Sequence, residues 1–167
     1  MGIHPQVEHS DWRLTIHGLV ENPVTLDSTQ FMALEQFVDT SDFHCVTTWR
    51  QFDMEWQGVS FSTLAELVTP RHEVTRVFYK SYDGYSTNTP LDAVMDDDTL
   101  IAHTWNGAAV PVEHGGPARV IIPRLYAWKG AKWVNEIIFL DRDIHGFWEV
   151  RGYSNTTDRW SEDRFSW

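Results

Sequence analysis

Between Val74 and Leu140 the chain breaks into short runs heavy in β-branched and aromatic residues: Val74 to Tyr82, Leu100 to Trp105, Ala118 to Ile122 and Val134 to Leu140. Asp83-Gly84, Asn106-Gly107, Gly115-Gly116-Pro117 and Lys129-Gly130 separate them. Runs of this kind read as strands and these dipeptides as turns. A small helix around Leu91 to Met95 is the one expected interruption. Strand and helix do not alternate, so a doubly wound parallel sheet is disfavoured. The expectation is an α+β domain with a mixed, largely antiparallel β-sheet and a few short helices.

The flanking segments fit that class. Trp12 to Gly18 alternates large apolar with polar residues, the period of a half-buried strand, and Glu21-Asn22-Pro23 reads as a turn. Phe31, Leu34, Phe37 and Val38 recur at helical spacing behind Ser28, which the pattern offers as N-cap. Thr63 to Glu66 has capping-box spacing and is followed by Leu67 and Val68, predicting a second short helix. Gly146 to Trp167 is polar and aromatic without period, and reads as a wrap anchored by Trp148, Tyr153 and Trp160.

With 167 residues the chain has room for one domain, 1–167, and no linker-like or repeated stretch divides it. Thirteen Lys and Arg face 24 Asp and Glu, a net charge of −11, which speaks against nucleic acid as partner. No run is long and apolar enough to predict a membrane span. The first ten residues lack a basic and then apolar signal pattern, so the chain as read is expected to be cytoplasmic, or a mature or trimmed form.

The one cysteine, Cys45, excludes an internal disulfide and thiolate-rich zinc or iron–sulfur sites. A free cysteine is by default a small buried hydrophobe. Its neighbours argue for more: His44 is adjacent, Thr47 and Thr48 offer hydroxyls to a thiolate, and Arg50 favours the charged form if the chain folds back. Such a thiolate suits nucleophilic attack or coordination of a soft or high-valent metal. In Glu113-His-Gly-Gly-Pro-Ala-Arg119, two glycines allow close backbone approach while His114 and Arg119 offer donors to phosphate or a polar heterocycle; a plain tight turn is the competing reading. Tyr126 to Trp133 places Lys129 and Lys132 beside Gly130, where solvated lysines are the default. HExxH, EF-hand, Walker and Gly-x-Ser-x-Gly patterns are absent, and Asp96-Asp97-Asp98 reads as a solvated turn.

Together these clusters resemble the molybdopterin-binding domain of the sulfite oxidase family. The resemblance is carried by Asp42-Phe-His-Cys-Val-Thr-Thr-Trp49, Trp56-Gln-Gly-Val59, Asn106-Gly107 and Pro111-Val-Glu-His-Gly-Gly-Pro-Ala-Arg119. It continues through Val120-Ile-Ile-Pro-Arg-Leu-Tyr-Ala-Trp-Lys-Gly-Ala-Lys-Trp133, Gly146-Phe-Trp-Glu149 and Gly152-Tyr153, in order along most of the chain. It implies a sulfite-oxidase-like fold and a molybdenum–molybdopterin cofactor with Cys45 as the protein's metal ligand. It further implies cofactor contacts from His44, Thr47, Ser81, His114, Arg119, Gly130, Ala131 and Lys132.

The activity implied is two-electron oxygen-atom transfer on a small oxyanion or sulfoxide, with Arg50 and His103 as catalytic candidates near the metal. His103 stands where many relatives carry tyrosine. No haem or second cysteine cluster is present, so the resemblance implies a separate electron-transfer partner, a cytochrome or other carrier. A non-catalytic molybdopterin-binding or carrier module of the same fold is the alternative, and a cysteine-nucleophile enzyme is a third.

Overall fold

The computed structural model describes residues 4–44 and 50–155, with the backbone alone at residues 43, 44, 50 and 51. In chain order the strands are β1 (Arg13–Gly18), β2 (Val24–Asp27), β3 (Phe37–His44), β4 (Arg50–Ser60) and β5 (Arg76–Ser81). They continue with β6 (Ser86–Pro90), β7 (Leu100–Trp105), β8 (Ala108–Ala109), β9 (Arg119–Ile121) and β10 (Val134–Leu140). Three short α-helices intervene: α1 (Ser28–Met32), α2 (Phe61–Val68) and α3 (Leu91–Val94).

The strands form two sheets where the sequence suggested one. The first has the order β2-β1-β10-β5-β6, and the second β3-β4-β7-β8 with β9 paired to β7. β1 and β10 run parallel, whereas the remaining strand pairs of both sheets are antiparallel. The α+β expectation of mixed, largely antiparallel strands and few helices therefore holds.

Period-2 alternation explains how the second sheet is buried on both faces. Val59, Ile101 and Val120 belong to the large core shared with Leu14, Ile16, Val77 and Ile137 of the first sheet. Leu100, Ala102, Trp56 and Ile121 turn the other way and pack in a smaller cluster with Met54 and Val110. Arg119 pairs with Ala102, and Ile121 with Leu100, so Arg119 shares the face of the smaller cluster.

Both helix starts differ from expectation. The N-cap of α1 is Asp27, whose carboxylate accepts from the Gln30 backbone while the Gln30 side chain accepts from the Asp27 N–H, at 2.8 and 3.0 Å. Ser28 is the first helical residue, and the helix ends at Met32 while Phe37 and Val38 open β3. Spacing alone did not separate the two, because four apolar residues in eight fit a helix or a turn followed by a strand. α2 is capped by Ser60, which accepts from the Thr63 N–H at 3.1 Å, so Thr63 is the capped residue and heads no capping box. β2, β3, β4 and β6 are strands that the sequence reading did not identify. Through residue 155 the C-terminal segment packs on the domain, with Tyr153 edge-on against Trp128 and Glu149 accepting from Thr87. Trp160 lies outside the described residues, and Glu149 and Ser154 are the buried polar residues of the segment.

Candidate functional site

The hairpin of β3 and β4 carries the cysteine. His44 and Arg50 are cross-strand partners at its base, so the chain does fold back and Arg50 stands across from His44. Cys45 and Thr47 belong to the connection between them, outside the described residues, as are the side chains of His44 and Arg50. Ser41 and Asp42, on the hairpin's rising strand, line a narrow cleft with Ile122, Tyr126 and Gly130. The hairpin thus stands beside the Gly130 turn.

On the far face of the second sheet, Arg119 is 4% exposed, its guanidinium carbon 5.4 Å from the centre of the Trp56 ring. Trp56 and Trp105 are register partners whose rings stack at 5.7 Å. His114 is exposed and sets its ring edge-on against Trp105 at 5.1 Å. Arg119 donates from Nη1 to the His114 carbonyl at 2.8 Å, which ties β9 to the turn before it. That turn needs its glycines. Gly115 has φ +112°, and a Cβ there would lie 2.9 Å from Lys132 Cβ and 3.1 Å from Arg119 Cβ.

Lys132 is half-buried and donates to the Glu113 carbonyl at 2.9 Å. Burial pushes its ammonium below the usual lysine range, and the Arg119 charge pushes it further. Burial likewise brings Arg119 down to about 10. Gly130 lets the backbone approach closely: a Cβ there would sit 2.6 Å from the Val120 carbonyl oxygen and 3.5 Å from Arg119 Nη2. Ala131 is fully buried, and its carbonyl accepts from the Val120 N–H at 2.9 Å, so it locks the turn to β9.

Ser81 lies on the first sheet. It ends β5 opposite Val134, where the register skips Asn135, a bulge of the kind that re-aims side chains near binding sites. Ser81 is 5% exposed, and its Oγ has no hydrogen-bond partner among the described residues. The Tyr82 N–H reaches the Trp133 carbonyl at 3.0 Å, which ties the end of β5 to the residue after Lys132, while Ser81 itself lines a cavity with Lys80, Tyr85, Asn135 and Glu136.

His103 is the bulged residue of β7, between the pairs Gln57–Thr104 and Gly58–Ala102. Its two ring nitrogens meet Gln36 Oε1 and Thr104 Oγ1, each at 2.8 Å, and Phe31 packs edge-on at 6.3 Å. Burial, with His9 adding, holds its pKa below the usual histidine value. His103 thus bridges the second sheet to the segment following α1.

The structure therefore brings Arg119, Lys132, Gly130, Ala131 and His114 to one neighbourhood, with Ser81 lining a separate cavity at the end of β5. The sequence reading missed the Trp56–Trp105 stack as its wall, although alternation of Met54 and Trp56 with Glu55 and Gln57 signals a strand. It also misplaced Lys129, which is fully buried where a solvated lysine was expected. Two like charges held close together, one buried and one half-buried, fit an anionic ligand bearing phosphate. The aromatic wall fits the flat body of a pterin.

Comparison with known proteins agrees. Residues 1–148 match the family model for the oxidoreductase molybdopterin binding domain. The uncharacterised oxidoreductase YuiH of Bacillus subtilis is 38% identical over 93% of this chain and 79% of its own length. The protein-methionine-sulfoxide reductase catalytic subunit MsrP of Gluconobacter oxydans is 28% identical over 93% of this chain, which spans 57% of that protein. Among solved structures, the sulfane dehydrogenase SoxCD of Paracoccus pantotrophus superposes with a TM-score of 0.75 at 25% identity, covering 83% of this chain and 40% of that one. The site, the fold and these matches converge: the chain belongs to the oxidoreductase molybdopterin-binding domain family and is a molybdopterin-dependent oxidoreductase of the sulfite oxidase type.

Proposed function

We propose that this chain reduces sulfoxides by two-electron oxygen-atom transfer, in which a sulfoxide, two electrons and two protons give the thioether and water. The observation that carries the reading is the buried Arg119 held near the half-buried Lys132 against the Gly115 and Gly130 turns, a seat for an anionic cofactor. The likeness to MsrP, the catalytic subunit of a protein-methionine-sulfoxide reductase, supports sulfoxide as substrate. Bound molybdenum–molybdopterin supplies the two-electron redox centre.

The chain's own residues supply placement and charge. Cys45 offers the thiolate that ligates the metal, with His44 and Thr47 as flanking cofactor contacts. Arg50, across from His44 in the hairpin register, presents a cation to the sulfoxide or oxyanion oxygen. His114, Arg119, Lys132 and Ser81 hold the phosphate-bearing end, and the Gly130–Ala131 backbone shapes its floor. His103, with its ring nitrogens bonded to Gln36 and Thr104, positions the Gln36 segment and stays the candidate for proton transfer near the metal. Electrons arrive from a separate carrier such as a cytochrome, and the setting is cytoplasmic.

The test is expression in a host that makes molybdopterin, followed by metal and pterin analysis and by oxidation of reduced viologen dye with methionine sulfoxide. One molybdenum and one pterin per chain with sulfoxide-dependent turnover, lost in Cys45→Ser, is the expected result. Folded protein without molybdenum or pterin refutes the reading. Bound pterin without turnover on sulfoxide or sulfite identifies a carrier module instead.

A further inference from the structure

A second polar cluster lies against the Gly130 turn and has no part in the chemistry described so far. Lys129 and Glu149 are both fully buried, with Nζ and Oε1 2.7 Å apart. Lys129 also donates to the Asn88 carbonyl at 2.8 Å, the Asn88 side-chain oxygen at 3.0 Å and the Asn155 carbonyl at 3.1 Å. Thr87 donates to the same Glu149 oxygen at 2.7 Å. The second carboxylate oxygen, Oε2, is buried without a hydrogen-bond partner among the described residues. Burial lowers the Lys129 pKa while Glu149 opposes the shift.

A buried ion pair of this kind is a poor source of stability, because desolvating two charges offsets most of their attraction. The unsatisfied Oε2 makes the arrangement less favourable still. Its role lies in direction: an ammonium with three donors, met by oxygens from β6 and from the C-terminal segment, fixes one backbone position in space. The residue so fixed immediately precedes Gly130. The Ala131 N–H bonds to the Lys129 carbonyl at 3.1 Å, and the Ala131 carbonyl in turn holds Val120, next to Arg119.

We infer that Lys129 and Glu149 are positioning residues for the anion-binding turn Gly130–Lys132: their buried pair clamps the C-terminal segment to β6 and thereby sets the turn against Arg119. The inference rests on the reading that this turn holds the phosphate-bearing end of the cofactor. A slack turn moves Lys132 and the Gly130 backbone away from the ligand while the apolar core stays intact.

The test is the double variant Lys129→Met with Glu149→Gln, which removes both charges and keeps the volume. Loaded protein is passed repeatedly through desalting, and retained molybdopterin is followed as its fluorescent oxidation product per chain. Near-ultraviolet circular dichroism confirms the fold. Phe61→Leu, a core change at the start of α2 away from the turn, reports what lost stability alone does to release. The expected result is pterin release at least fivefold faster than in the native protein and in Phe61→Leu, with the fold retained. Release within fivefold of native overturns the inference. Should the double variant fail to fold, Glu149→Gln alone carries the same measurement and the same threshold. A native protein that retains no pterin overturns the cofactor reading and this inference with it, whereas a native that retains it beside an equally retentive variant overturns the inference alone.

Discussion

Ser81→Ala separates a hydroxyl kept for a ligand from one kept for the fold, because the two predict opposite signs. Ser81 is 5% exposed and its Oγ meets no hydrogen-bond partner among the described residues. A buried hydroxyl left unpaired costs about 1–3 kcal/mol, and alanine removes that cost while opening a void of one oxygen atom. The net expectation is a gain of about 1 kcal/mol in cofactor-free protein, or a melting temperature higher by roughly 2–4 °C for a domain of this size. If Ser81 contacts the cofactor as proposed, the same hydroxyl in loaded protein bonds a charged oxygen, an interaction worth about 1.5–3 kcal/mol. Its loss weakens cofactor affinity by roughly 10- to 160-fold. The assay is thermal denaturation of native and variant protein from a host unable to make molybdopterin, beside pterin retention of both from a competent host. A cofactor-free variant that melts below the native protein refutes the reasoning, since Oγ would then have a partner in the fold. Unchanged pterin retention refutes the assignment of Ser81 to the cofactor.

Gly115→Ala, at φ +112° with its Cβ driven to 2.9 Å from Lys132 Cβ, is expected to cost about 1–3 kcal/mol and to lower pterin retention. Gly107→Ala, at φ +77° with open space around the new Cβ, is expected to leave retention unchanged, and equal losses in the two variants would refute the steric account. Lys129→Met alone leaves Glu149 buried without its cation and is expected to lower stability by about 3–5 kcal/mol in a denaturant titration, more than the double neutral variant loses. His103 has a folded pKa below its unfolded value of 6.5, so the unfolded chain binds the extra proton between the two. Its contribution is fully present above pH 6.5 and falls away as pH drops through the lower folded value. The melting-temperature gap between native and His103→Gln protein should therefore narrow from about pH 7.5 towards about pH 5, and a gap that widens over that range contradicts the assignment.

Sequence patterns revealed the parts of the fold in which apolar residues recur with a period. Trp12 to Gly18 alternates, Val134 to Leu140 is a run rich in β-branched and aromatic residues, and both hold strands of the first sheet. Ser86 to Pro90 carries no apolar signal at all, yet Thr87, Asn88 and Thr89 are fully buried in β6. Burial there is supported by polar partners: Glu149 for Thr87, Asp143 for Asn88 and the Tyr79 hydroxyl for Thr89. Partners 10 to 62 residues away leave no local trace in a sequence. The site divides in the same way. Gly115, Gly130, His114, Arg119 and Lys132 sit in two compact motifs and were legible, because close backbone approach and anion-binding donors leave a dense local signature. The Lys129–Glu149 pair, 20 residues apart, was not, since a lysine next to glycine in an acidic chain looks solvated until its carboxylate is located.

The charge of the chain gains a different meaning from this geometry. Four cations stand between residues 119 and 132 in a protein of net charge −11. Arg124 pairs with Asp96 at 3.5 Å, and Lys129 is neutralised by Glu149 at 2.7 Å and contributes position rather than field. Lys132 donates to the Glu113 carbonyl and Arg119 to the His114 carbonyl. Carbonyl dipoles solvate a cation without cancelling its charge, and the carboxylates that act on Lys132, Asp83 and Glu113, offset a shift led by burial and by Arg119 itself. The buried Arg119 guanidinium and the half-buried Lys132 ammonium are near enough for one charge to act on the other, a local concentration of positive charge within an acidic chain. An acidic composition argues against extended anionic partners such as nucleic acid, which must approach the whole surface. It leaves untouched a compact anion that needs only this pocket, and the two readings of the charge agree once the cations are located.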